Sequence, residues 1–155
     1  MSGVCRSGAE RLARLEPTAQ RCRIRECTGA SERVGKALGD AADVDLPALS
    51  AALDAALAGV QQLGAAREGD KTMVDALAAA TRAFSKAIAE GASLDDALSV
   101  LAEAAQAGAT ATISMQALKG RASYLGPRSV GHEDPGAVST ALILGALRDA
   151  ARTGR

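Results

Sequence analysis

Two short stretches hold most of the residues whose types and spacing could do chemistry. GRASYLGPRSVGHEDPG, residues 120–136, crowds Gly, Pro, Ser, Arg, His and Asp together in an otherwise alanine-rich chain. Arg121 and Arg128 carry permanent, forked charge suited to phosphate. The glycines let backbone approach a ligand closely. Asp134-Pro135-Gly136 opens a helix, whose first N–H groups and partial positive charge favour an anion. GDKTM at 69–73 begins another helix with a similar phosphate-friendly composition. It is not a P-loop, because GxxxxGK[ST] is absent. The chemistry indicated is capture of a phosphate-bearing ligand. A structural reading stands beside it: Asp134 as N-cap, Pro135 at the first helical position, Gly126-Pro127 as a turn, Arg121 in solvent.

Metal chemistry finds less support. Cys5, Cys22 and Cys27 have irregular spacing and no CxxC pair, so neither a disulfide framework nor a zinc site with His132 is indicated. Asp40, Asp43 and Asp45 lie in GDAADVD (39–45), which reads as a solvated acidic linker between helices.

These stretches must be positioned by helices. The chain is 48% hydrophobic but 1% aromatic, so its core is built from Ala, Leu, Val, Ile and Met. Ala and Leu are strong helix formers, whereas strands prefer aromatic and β-branched residues. The fold class is all-α, an antiparallel helical bundle of about five helices. Residues 1–33 form a poorly patterned leader rich in Arg and Cys. SERVGKAL (31–38) predicts a short helix with Ser31 as cap. Apolar residues at 46, 49, 53, 57, 60 and 63 predict the next, with Pro47 in its first turn and Gly64 at C′. Asp70 is expected to cap a third helix, whose Met73, Leu77, Phe84 and Ile88 share a face and which Gly91 ends. Ser93 caps a fourth, with Asp96 three residues on. Its apolar pattern runs through Leu98, Leu101, Ala105, Ile113, Met115 and Leu118 to about Lys119, with Gly108 as a weak point. A last helix spans about 136–152.

Eighteen basic and eighteen acidic residues cancel, which argues against nucleic acid or an anionic membrane as main partner. No apolar run is long enough to span a membrane, and the N-terminus does not read as a secretory signal, so a cytoplasmic protein is expected.

GDKTMVDAL (69–77) followed by TISMQALKGRASYLGPRSVGHEDPGA (112–137) resembles the ADP-binding (L) subunit of dihydroxyacetone kinase, over about residues 34–152. The resemblance implies a barrel of eight antiparallel helices, of which this chain would supply five or six, holding ADP or ATP with magnesium at one end. It implies docking on a K subunit that carries dihydroxyacetone, and in some systems recharging by a phosphorelay protein. By that resemblance, Gly64 and Arg121 contact the nucleotide, Arg121 at its phosphates. Met73 packs near the adenine, and Asp134, Pro135 and Gly136 close over the ligand. Pro127 departs from the family, which commonly has Glu there.

A larger departure lies upstream. The family's magnesium-binding Gly-Asp-Gly-Asp-His-Gly loop and its Gly-Gly-x-Ser-Gly segment are not found; TGAS (28–31) is a weak echo. The likeness fades above Val34, as a shifted frame or misplaced start would produce. A barrel lacking its first helices would expose apolar faces and self-associate or be marginally stable. Three functions follow. They are a dihydroxyacetone kinase nucleotide subunit, a non-catalytic module binding nucleotide weakly or only a partner, and a sister kinase for another ketose.

Overall fold

A computed structural model describes residues 32–39 and 44–153. The leader up to Ser31, and with it the three cysteines, lies outside those residues, as do Asp40 and Asp43. Five α-helices follow in order: α1 at 32–38, α2 Leu46–Gly64, α3 Met73–Ala89, α4 Leu94–Ala111 and α5 Pro135–Thr153. Two 3₁₀ segments, Thr112–Ser114 and Arg121–Ser129, lie between α4 and α5. No strand occurs among the described residues. The expected all-α antiparallel bundle is what the chain forms.

Helix α3 is the hub, packing against α2, α4 and α5, while α4 and α5 also pack on each other. The core holds Val60, Val74, Leu77, Phe84, Leu98, Leu101 and Leu144, with alanines filling the contacts between them. Phe84 is fully buried and is the chain's one Phe. Small residues let the helix backbones come close. At Gly108 an added Cβ would stand 2.8 Å from the Asp75 carbonyl oxygen and 2.9 Å from the Ala76 Cα. The expected weak point is therefore a close backbone contact between α3 and α4.

The helix ends follow their caps. The Asp45 side chain accepts from the Ala48 amide at 2.8 Å and Pro47 sits in the first turn, which starts α2 where expected. At its other end Gly64 is still helical, and Ala65 takes the left-handed conformation (φ 45°) instead. The Ser93 hydroxyl accepts from the Asp96 amide and opens α4 as expected. Helix α3 is capped by Thr72, not by Asp70: the Asp70 carboxylate accepts from the Arg67 amide at 2.8 Å and closes the preceding turn.

Helix α4 stops at Ala111, well short of Lys119. The Thr112 hydroxyl donates back to the Ala109 carbonyl at 2.6 Å and accepts from the Asp134 amide at 2.9 Å. Such local bonding competes with the helix ladder. Beyond it the apolar pattern points outward, with Ile113 and Leu118 exposed. Leu63, on the expected apolar face of α2, is exposed too.

Candidate functional site

The site is assembled where α3 and α5 begin. Asp75, buried in the first turn of α3, accepts from the Gly69 amide at 2.5 Å and the Thr72 amide at 2.7 Å. The Thr72 hydroxyl accepts from the Val74 amide. This capping box fixes the turn that carries Met73. The same turn is held from outside by Glu68, whose carboxylate accepts from Arg82 at 2.6 Å and holds that guanidinium above its ordinary pKa.

Lys71, between them, is buried and adopts a left-handed backbone conformation (φ 60°). Its ammonium donates to the carbonyls of Met115 (3.0 Å) and Ser129 (2.5 Å). The lysine of GDKTM is thus turned inward onto the long connection rather than outward as a solvent-facing phosphate ligand.

That connection is ordered by its own bonds. The Leu118 amide donates to the Asp70 carbonyl at 3.0 Å, and the Ala117 amide to the Ser129 hydroxyl at 2.9 Å. Ser129 in turn donates to the Gly126 carbonyl, and the Gly131 amide to the Ile113 carbonyl at 2.8 Å. Gly126 breaks the 3₁₀ segment at φ 55°, a conformation that Gly adopts without strain. Arg121 opens this segment and Arg128 lies in its last turn, and both are exposed. Neither forms an ion pair among the described residues. Tyr124 and Leu125 stand exposed between them.

At the start of α5 the Asp134 side chain accepts from the Ala137 amide at 2.8 Å, and Pro135 takes the first helical position. A Cβ added to Gly136 would stand 2.8 Å from Asp134 Oδ2 and 3.4 Å from both the Cβ and the amide nitrogen of Met73. The first turns of α3 and α5 therefore meet. At this corner each helix start is capped by its own carboxylate, Asp75 and Asp134, and the remaining first-turn N–H groups are of the kind that bind anions.

Of the candidates from sequence, Met73, Asp134, Pro135 and Gly136 share this corner, and Arg121 belongs to the segment that Lys71 ties to it. Gly64 is the last residue of α2. A cavity of about 460 Å³ beside that end is lined by Ala58, Gln61, Gln62, Ala65, Ala66 and Arg67. Sequence reasoning missed Thr112, Ser129 and the inward turn of Lys71. Their one signal is that they are polar residues flanking a loop that must be anchored. Among the described residues no three His, Cys, Asp or Glu side chains come together to hold a metal ion.

The family model described as DAK2 domain matches residues 30–149. The chain is similar to triokinase/FMN cyclase of Rattus norvegicus, 43% identical over 112 residues, which is 72% of this chain and 19% of that protein. It is similar to the ADP-binding subunit DhaL of the PEP-dependent dihydroxyacetone kinase of Escherichia coli, 43% identical over 94 residues, 61% of this chain and 45% of that subunit. L-erythrulose 1-kinase of Mycolicibacterium smegmatis is 42% identical over 108 residues, 68% of this chain and 19% of that enzyme. The chain thus spans less than half the length of these relatives.

Proposed function

The chain belongs to the DAK2 domain family, and from that premise we propose that it binds ADP or ATP at the corner where α3 and α5 begin. The observation that carries the reading is the contact of Gly136 with Met73, which brings two helix starts together beside a segment bearing the exposed Arg121. Arg121 takes the phosphates with a planar fork. Met73, half-buried and adaptable, lies against the base, and Asp134-Pro135-Gly136 closes the other side. Gly64 borders the same ligand from the end of α2. The functional unit is residues 34–155.

When bound, ATP supplies the phosphoryl group, and the acceptor is a small ketose held on a K-type partner subunit. Dihydroxyacetone is the acceptor suggested by the name of the Escherichia coli relative, and erythrulose by another. The exposed Tyr124 and Leu125 beside Arg121 give such a partner an apolar contact at the nucleotide end. A phosphorelay protein would reach the same end. Met73, Arg121 and Asp134-Pro135-Gly136 bind and orient the nucleotide.

The test is a thermal melt with and without saturating ADP, each repeated with magnesium and with EDTA. A ligand at about 100 times its Kd adds about 2.7 kcal/mol. At about 2–4 °C per kcal/mol, Tm rises by several degrees. A rise that survives EDTA is expected, since the contacts described are to amides and a guanidinium. No rise at millimolar ADP would overturn nucleotide binding by this chain.

A further inference from the structure

We infer that Lys71 is a positioning residue: its buried ammonium gathers the two ends of the 115–129 segment and so fixes where Arg121 sits relative to the start of α3. The inference deepens the nucleotide reading and rests on it for the ligand. Lys is almost never fully buried unless its charge is compensated. Here Lys71 is 3% exposed, and no carboxylate among the described residues pairs with it. Compensation comes from two carbonyls that lie on opposite sides of Arg121 in the chain, Met115 and Ser129.

The arrangement has the form of a clasp. Met115 ends the turn after α4, and Ser129 ends the 3₁₀ segment that Arg121 begins. The Ser129 hydroxyl continues the clasp, accepting from Ala117 and donating to Gly126. Lys71 itself is the residue before Thr72, the N-cap of α3, and its neighbour's carbonyl, that of Asp70, accepts from Leu118. Loop and helix start are therefore joined by three successive residues, 70–72. A bulky residue in a left-handed conformation is uncommon and is tolerated only where the surroundings fix it. That backbone turns the long side chain inward.

Hydrogen exchange of the intact chain tests this, with Lys71→Met removing the ammonium and keeping the stem. The amides of Ala117, Leu118 and Gly131 should exchange about tenfold faster or more, because their bonds depend on the clasp, while Leu98 and Leu101 in α4 keep their protection. ADP affinity by calorimetry should fall about tenfold or more, and Lys71→Arg should restore part of it. Should Lys71→Met fail to fold, Lys71→Gly carries the same test, since Gly relieves the backbone conformation and still deletes the ammonium. Unchanged exchange at 117, 118 and 131 would overturn the inference. So would a uniform rise that includes α4, which marks a merely structural lysine. If the wild-type chain binds no ADP, the nucleotide reading fails, and the exchange pattern still decides whether Lys71 is the clasp.

Discussion

Gly108→Ala offers a stringent check on the close contact between α3 and α4. In a free helix the change is favourable, by about 0.8–1 kcal/mol. In this structure the new Cβ would meet backbone, at 2.8 Å from the Asp75 oxygen and 2.9 Å from the Ala76 Cα, with the Ala79 Cβ at 3.2 Å. Favourable carbon contacts lie at about 3.5–4.0 Å. No rotamer can relieve the clash, so one helix must move by over half an ångström. Overpacking of this kind costs about 1–3 kcal/mol. Against the propensity gain, the net loss is about 0–2 kcal/mol, or a Tm fall of up to about 8 °C, where Gly145→Ala should gain. Gly145→Ala in α5 is the internal control, because nothing lies within 4 Å of its added Cβ. It should raise Tm by the propensity term alone. Parallel melts by circular dichroism decide the matter. If Gly108→Ala melts at or above Gly145→Ala, the interhelix geometry argued here is wrong.

Thr112→Val keeps the shape and deletes a fully buried hydroxyl, leaving the Asp134 amide without its acceptor. It should cost about 1–3 kcal/mol in urea titration, and a neutral result would refute the anchoring role. Arg121→Ala removes an exposed side chain and should leave the apo Tm unchanged. It should also weaken ADP about tenfold or more by calorimetry; equal affinity would remove Arg121 from the site. The outer face of α5 exposes Leu142, Ile143 and Leu147 beside Arg148 and Asp149, which carry opposite charges. Arg148 and Asp149 pair with each other, so a second copy in two-fold pairing would serve to cover the apolar residues. Sedimentation should show concentration-dependent association that Leu142→Glu abolishes, and a wild-type chain that stays monomeric would exclude this face as a dimer contact.

The parts of this fold legible in sequence are those governed by local rules. Pro47 in a first turn, Ser93 with Asp96, and Asp134 with Pro135 each mark a helix start because the signals lie within a few residues of one another, whereas Asp45, read as linker, proves to be a cap. The i, i+3/i+4 spacing of Leu77, Phe84 and Ile88 identified the inner face of α3 for the same reason. What escaped depends on distant partners. Thr72 outcompetes Asp70 as cap because Asp75 completes the box, while Asp70 is engaged by Arg67. The apolar period beyond Ala111 mimics helix, and only the bond from Asp134, far along the chain, shows why Thr112 ends it. The Gly136–Met73 contact joins two helix starts far apart in sequence, so composition marked both stretches and only the structure brings them together.

The alanine-built core carries one more consequence. Alanine has no side-chain rotamers to freeze, so burying it costs no side-chain entropy and leaves nothing to rearrange. A core rich in Leu or Met can adapt by hopping between rotamers; here Ala76, Ala80, Ala97, Ala105 and Ala109 are fixed by their backbone alone. Helices seated on such contacts move as rigid rods or not at all. Any adaptation of shape is thereby left to the 112–134 connection, whose conformation rests on a handful of hydrogen bonds. In this protein stiffness and compliance are separated along the chain, and the boundary between them falls at Thr112.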